Sequence, residues 1–358
     1  MKKIPNRQVH LDFHTSEMID QVGSKFSAEE FADTLKNANV EAVTLFTRCH
    51  HGNLYYDSTK YPERIHPHLK VKDMYREQAK ECRKKGIKVY LYTTICWDIQ
   101  VAAEHPEWVA IDDYARISRR ETGNIFEDPG FHVDLCINSP YREFCKEQIA
   151  DALENCPVDG VLVDASFVVE CCCPRCRKSM LEKHLNPADP QDRKKHAWQI
   201  YYDFVREMTD YLHEIDSDYD IFFNKGHVGA QDIPVRDCFD YVAVESQPAN
   251  CGYMDFPVSA RYLRTWGVPV VGMTGRFLTG WGDNNSYRNQ AALEYESFSA
   301  LSYGGLCNIG DQLPPSGQLD KDMYGVIGDV FRQVKEKEPW CEAVSYTHLR
   351  AHETCADL

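Results

Sequence analysis

The sequence predicts an α/β protein, a (β/α)8 TIM barrel with long loops after strands 3 and 4. Three observations carry this. Eight short runs rich in β-branched and aromatic residues recur along the chain, each followed by a helical stretch. The runs are almost continuously apolar, as strands buried on both faces must be. Each also closes on polar residues, at the end where such a barrel builds its reactive face. A doubly wound open sheet is the runner-up, but no Gly-x-Gly-x-x-Gly follows the first run.

The first run, QVHLDFH, puts His10, Asp12 and His14 on one face by the two-residue strand period. Ser27 and Glu30 then make a capping box ahead of Phe31 and Leu35. The second run, AVTLFTRCHH, ends in two adjacent imidazoles, His50 and His51. A plain loop, metal ligands and donors to sugar hydroxyls are the three readings of that pair. Gly86 supplies a left-handed helix stop before the third run, KVYLYTTICWD, which ends on Asp98. The stretch Ile99 to Ile137 is a long insertion, after which Ser139 and Pro140 open a helix through Leu153.

The fourth run, DGVLVDAS, carries Asp164, and a second insertion from Val168 to Trp198 holds a cysteine cluster. The fifth, YDIFFNKGH, carries Asn224 and His227; the sixth, DYVAVES, carries Glu245. The seventh, PVVGMTGRF, carries Arg276, with Trp281 just beyond it, and the eighth, GGLCNIGD, ends on Asp311.

An acid closing an apolar strand is costly to bury unless it is paired or used. Asp164 and Glu245 are two such acids on separate strands, the minimum kit for glycoside hydrolysis: one attacks or activates water, the other protonates the leaving oxygen. A salt bridge or helix cap at each strand end is the competing explanation. His10, Asp12, His14, His50, His51, Asp98, Asn224, His227, Arg276, Trp281 and Asp311 form the candidate substrate-binding set. No cofactor and no metal at the catalytic centre is expected. The alternative is a metal-dependent hydrolase of the amidohydrolase type, with Asp12, His14, His227, Glu245 and Asp311 as ligands. Against it, the first strand reads Asp-x-His where that class has His-x-His. A non-catalytic carbohydrate-binding barrel is a third possibility.

The insertion after the fourth run reads ECCCPRCRKSM. Cys171, Cys173 and Cys176 can hold three corners of a structural zinc tetrahedron, but no second knuckle at the usual spacing offers a fourth ligand, so free thiols compete with this reading.

Composition narrows the partners. The chain of 358 residues is 43% hydrophobic and 27% charged, with a formal net charge of -15, which repels nucleic acid. The N-terminal MKKIPNRQVHLDF has no apolar core of a signal peptide, and no run approaches a membrane span. With fifteen cysteines and no secretory signal, reduced thiols and a cytoplasmic location are expected. The last residues, Val344 to Leu358, show neither helical nor strand period. From Val344 to Thr354 they back-translate in frame to a common transposon-based sequencing adapter. That tail is read as adapter read-through, leaving residues 1–340 as the catalytic barrel and a natural chain that continues past Ala343.

Taken together, HLDFHTSE, TRCHHG, HPHLKVKD, WDIQVAAEHPEWVAID, LCINSPY, VDGVLVDA, CCCPRC, FFNKGH, VAVESQP, GMTGRF and IGDQLPPSG resemble a group of hypothetical glycosyl hydrolases related to the alpha-L-fucosidase barrels. The resemblance extends to Trp340. It implies a retaining exo-glycosidase acting on a glycoside or oligosaccharide. It also implies a beta-galactosidase-type trimerisation domain downstream, through which the chain would form homo-oligomers. In the fucosidases adjacent histidines after the second strand contact sugar hydroxyls, a position matched by His50 and His51. Their nucleophile is an aspartate after the fourth strand, matched by Asp164; Glu245 is assigned as the acid/base. The expected activity is alpha-L-fucosidase-like, with one departure: the fucosidases commonly read His-His-Asp-Gly where this chain reads His50-His51-Gly52.

Overall fold

The computed structural model describes residues 3–119, 132–283 and 286–356, with side chains described to Cys341. Eight strands alternate with helices along the chain. They are β1 (Arg7–Asp12), β2 (Ala42–Phe46), β3 (Lys88–Thr94), β4 (Gly160–Asp164), β5 (Asp220–Phe223), β6 (Val242–Glu245), β7 (Val270–Gly275) and β8 (Leu306–Gln312). The helices are α1 (Ala28–Asn37), α2 (Met74–Lys84), α3 (Ile99–Glu104), α4 (Tyr141–Leu153), α5 (Pro174–Glu182), α6 (Pro190–Ile215), α7 (Pro248–Cys251), α8 (Asp255–Leu263), α9 (Gln290–Ser302) and α10 (Lys321–Ala356). All eight expected runs are strands, and every pairing is parallel. The (β/α)8 barrel read from the sequence is the fold.

Local signals account for the helix ends. Ser27 Oγ accepts the Glu30 N–H at 3.4 Å, so α1 starts where the capping box placed it. The box is one-sided, because the Glu30 carboxylate turns outward to Lys321 at 2.6 Å. Gly86, at φ +73°, follows α2 in the left-handed conformation that stops a helix. In the insertion after β3, Asp98 caps α3 by accepting the Val101 N–H at 2.9 Å. Residues 120–131 of that insertion lie outside the described residues. The backbone of α10 runs on past Ala343 to Ala356, where no helical period was read; the side chains of that tail lie outside the described residues.

Strand parity sorts the side chains. Gln8, His10 and Asp12 of β1 point into the barrel, whereas Val9 and Leu11 meet the helices. The interior fills in layers, as such barrels do. At the bottom Tyr90 donates to Asp220 at 3.1 Å. In the middle Phe46 stacks on Tyr92 with ring centres 3.6 Å apart. At the top are Asp12, Asp164, Asn224 and Glu245.

The strand order runs β5-β4-β3-β2-β1-β8-β7-β6, and among the described residues no ladder joins β5 to β6. Asp240, just before β6, spans that seam. Its N–H donates to the Ile221 carbonyl at 3.1 Å, and its carboxylate accepts the Ile221 N–H at 2.9 Å.

Candidate active site

The tops of β4, β5 and β6 bring three polar side chains together. Asn224 Nδ2 donates to Asp164 Oδ1 at 2.8 Å and to Glu245 Oε1 at 2.5 Å. The nearest carboxyl oxygens therefore lie no further apart than those two bonds laid end to end. That fits the spacing of about 5–5.5 Å found in retaining glycosidases and not the 6.5–9.5 Å, roughly, of inverting ones. Tyr92, directly below, donates its hydroxyl to Asp164 Oδ2 at 2.5 Å. Asp164 thus accepts two hydrogen bonds and stays partly open to solvent, its side chain 16% exposed.

Glu245 differs. Burial, and then the neighbouring Asp164 charge, push its pKa from the ordinary 4.5 up to about 7. The Trp281 indole N–H faces the same carboxyl and opposes the rise, yet it makes no hydrogen bond of good geometry. Two neighbouring acids with different environments are the arrangement that separates a proton donor from a nucleophile.

The histidines line the opposite wall. His14 stacks on His50 with ring centres 4.0 Å apart, and its Nε2 lies 3.1 Å from Asp12 Oδ1. Burial opposes charge on His14, but Asp12 outweighs it and pushes the pKa up to about 10. His14 Nδ1 lies 3.2 Å from the His50 backbone nitrogen. Burial likewise opposes charge on Asp12, and His14 outweighs it, holding that carboxyl below its ordinary value.

His50 itself is kept neutral, first by burial and then by His14. The Thr94 hydroxyl donates to the Trp97 carbonyl at 3.1 Å, so at 2.7 Å from His50 Nδ1 it accepts. This makes Nδ1 the protonated nitrogen and turns the Nε2 lone pair toward Asp164, 3.8 Å from Oδ2.

His10 is buried and neutral, edge-on to Trp281 at 5.2 Å, with no partner for Nδ1. His51 is half-buried, and burial, then His14, lower its pKa to about 4.

Four expected residues lie elsewhere. Asp98 is fully buried behind His50, where it caps α3 and pairs with Arg48 at 2.8 Å; no surface remains for a ligand. Arg276 and Asp311 pair with each other at 2.5 Å on the outer face of β7 and β8. The parity is plain: Thr274 reaches Glu296 on α9, so Arg276, two residues on, points outward too. Asp311, likewise outward, faces Tyr324 on α10, and burial pushes its pKa up to about 6. His227 is exposed on the loop after β5, folded over Gly229. The metal-hydrolase ligand set is therefore dispersed. Among the described residues, the one group of His, Cys, Asp or Glu able to share an ion is Cys136, Cys171, Cys173 and Cys176.

Sequence reasoning passed over several residues at the mouth. Tyr92 and Thr94 are inward residues of β3, and the strand period applied to that run would have found them. Gln247, two residues beyond Glu245, is buried with both amide atoms unpartnered among the described residues, and Gln312 Oε1 is likewise unpartnered. His10 Nδ1 and Trp281 Nε1 are also without a hydrogen-bond partner among the described residues. A separate surface recess, a groove between α1 and α10 crossed by the Glu30–Lys321 ion pair, contains none of the candidates.

Comparison with known proteins relates this barrel, with two carboxyls at its C-terminal mouth, to glycosyl hydrolases. Residues 27–165 match the family model described as hypothetical glycosyl hydrolase 6. The chain is similar to alpha-L-fucosidase isoenzyme 2 from Paenibacillus thiaminolyticus, with 34% identity and a TM-score of 0.87 over 94% of this chain and 50% of that one. It therefore spans half the length of that relative. An alpha-L-fucosidase GH29 from Bacteroides thetaiotaomicron shares the fold at 14% identity and a TM-score of 0.54, over 88% of this chain and 61% of the other. The Thermotoga maritima alpha-fucosidase does so at 15% and 0.53, over 88% and 58%. No curated protein sequence matches. The resemblance to a glycosyl hydrolase group related to the fucosidase barrels is borne out. Among the described residues no helix is long and apolar enough to cross a membrane.

Proposed function

We propose that the chain is the barrel of a retaining exo-glycosidase of the alpha-L-fucosidase kind, with Asp164 as nucleophile and Glu245 as acid/base. The observation that supports this is the shared amide of Asn224, which donates to both carboxyls and so keeps their nearest oxygens below the separation of an inverting pair. In the first step Asp164 attacks the anomeric carbon while Glu245 gives its proton to the departing oxygen. In the second, the Glu245 carboxylate takes a proton from water, which attacks the same carbon and releases Asp164. Tyr92 and Asn224 hold the nucleophile in place. His50 Nε2 and the unpartnered groups of His10, Gln247, Trp281 and Gln312 suit a polyhydroxylated ring, which both donates and accepts. The 34% identity to a fucosidase favours fucose among deoxy sugars.

A panel of aryl glycosides, the alpha-L-fucoside first, tests the reading. The expected result is release of the aryl alcohol, and labelling of Asp164 by a 2-fluoro glycosyl fluoride of the accepted sugar, seen by peptide mass mapping. A label on another carboxylate overturns the assignment. A folded chain that binds sugars and turns none over overturns the activity.

A further inference from the structure

Among the described residues, four buried cysteines converge outside the carboxyl site. Cys171, Cys173 and Cys176 come from the insertion after β4. The fourth, Cys136, comes from the end of the insertion after β3, separated from the others by α4 and β4. All four sulfurs lie within 4.8 Å of one another, with Cys136 3.5 Å from Cys176 and 3.9 Å from Cys173. A tetrahedron of zinc–sulfur bonds of about 2.3 Å has sulfurs about 3.8 Å apart. A disulfide needs about 2.05 Å. The spacing is that of ligands around one ion.

The surroundings fit the same occupant. The cysteines sit in a small core of their own with Ala110 and Met180. Two N–H groups point at sulfur: Cys173 N–H at Cys171 Sγ, 3.4 Å, and Asn138 Nδ2 at Cys176 Sγ, 3.5 Å. Such bonds orient thiolate ligands around a metal. Cys172, between two of the four, points away: its carbonyl accepts from Arg177 and its sulfur is not in the group.

We propose that Cys136, Cys171, Cys173 and Cys176 bind one structural Zn²⁺ in a closed four-thiolate site. All four positions are filled by protein, so the ion is a staple and not a reaction centre. It ties the two long rim loops together. Cys136 follows Asp134 and Leu135; Asp134 accepts the Trp97 indole N–H at 3.0 Å, and Trp97 stands edge-on to His50 at 4.9 Å. The staple thereby steadies the wall that carries His50.

The test is metal analysis of the protein purified from zinc-supplied cells, by mass spectrometry of the elements after gel filtration. One zinc per chain is expected, released by an organomercurial in step with thiol titration. Cys136→Ser should lose the zinc while Cys172→Ser keeps it. If Cys136→Ser fails to fold, cobalt substitution of the unaltered protein decides: tetrahedral tetrathiolate bands are expected, with X-ray absorption showing four sulfur neighbours. A folded protein holding under a tenth of an equivalent overturns the proposal. So does iron in place of zinc, disulfides among the four, or zinc that persists in Cys136→Ser.

Discussion

Gly310 and Trp281 occupy space that a single methyl would contest: a Cβ on Gly310 would lie 2.3 Å from Trp281 Cη2. Gly310 points into the barrel from β8, and the indole from the loop after β7 fills the room it leaves. Glycine is required here for close approach, not for its backbone angle. Gly310→Ala should push the indole off its seat beside His10 and Glu245. The expected outcome is a rise in KM larger than the fall in kcat, with intrinsic fluorescence of Trp281 red-shifted and the unfolding midpoint little changed. An unchanged KM would mean the indole does not form part of the sugar subsite.

The raised Glu245 pKa sets a pH dependence with a definite sign. As proton donor Glu245 works protonated, so kcat/KM should fall as pH rises through about 7. Stability follows the same group. The folded state holds this proton more tightly than the unfolded chain, whose ordinary value is 4.5. Its contribution is therefore full below 4.5 and lost as pH rises to 7. Glu245→Gln removes that loss, which a shift of this size puts at about 3 kcal/mol. Thermal unfolding should show Glu245→Gln more stable than the unaltered protein at pH 8, with the gap closing toward pH 4.5.

Leaving-group dependence separates the two carboxyls. Glu245→Ala should lower turnover by about 10²–10⁴-fold on a substrate whose leaving oxygen needs a proton. On a dinitrophenyl glycoside the loss should be much smaller, with azide restoring rate as a glycosyl azide. Asp164→Asn should abolish turnover of both substrates while leaving sugar binding, measured calorimetrically, within a few-fold. Equal losses on both substrates in Glu245→Ala would move the acid role to another residue.

Arg48 and Asp98 give a stability prediction without a catalytic one. Both are fully buried and pair at 2.8 Å. Removing Arg48 leaves Asp98 with Arg64 alone, 3.7 Å from its other oxygen, so Arg48→Ala should lower stability in denaturant unfolding. The double change Arg48→Met, Asp98→Asn should cost less than Arg48→Ala, since no charge is left unpaired. A double change as costly as the single one would show that packing, not charge, is what the pair supplies.

The fold was legible because eight strand-and-helix units recur between turn and cap signals, several of the strands on near-continuous apolar runs such as GVLVD and AVTLF. The acids at the tops of β4 and β6 were legible for the same reason: each is the one charged residue of its strand. Parity explains the misreadings. Applied to β1 it grouped His10, Asp12 and His14 correctly. Applied to β7 and β8 it would have set aside Arg276 and Asp311 and drawn notice to Gln312. Asp98 misled because a helix cap and a site residue look alike at a strand end. Cys136 could not be joined to the other cysteines by spacing, since only the meeting of two loops in space unites them.

The unladdered seam between β5 and β6 has a bearing on catalysis. Asp164 and Asn224 stand on one side of it and Glu245 on the other. Elsewhere in the wall, regular ladders dictate how far apart neighbouring strand tops stand. Here the gauge is a single side-chain amide at the top and Asp240 further down. The reach between Asp164 and Glu245 is thus an adjustable dimension of this barrel, and position 224 is its set-screw: lengthening or removing that one side chain would retune the gap without disturbing a strand pairing.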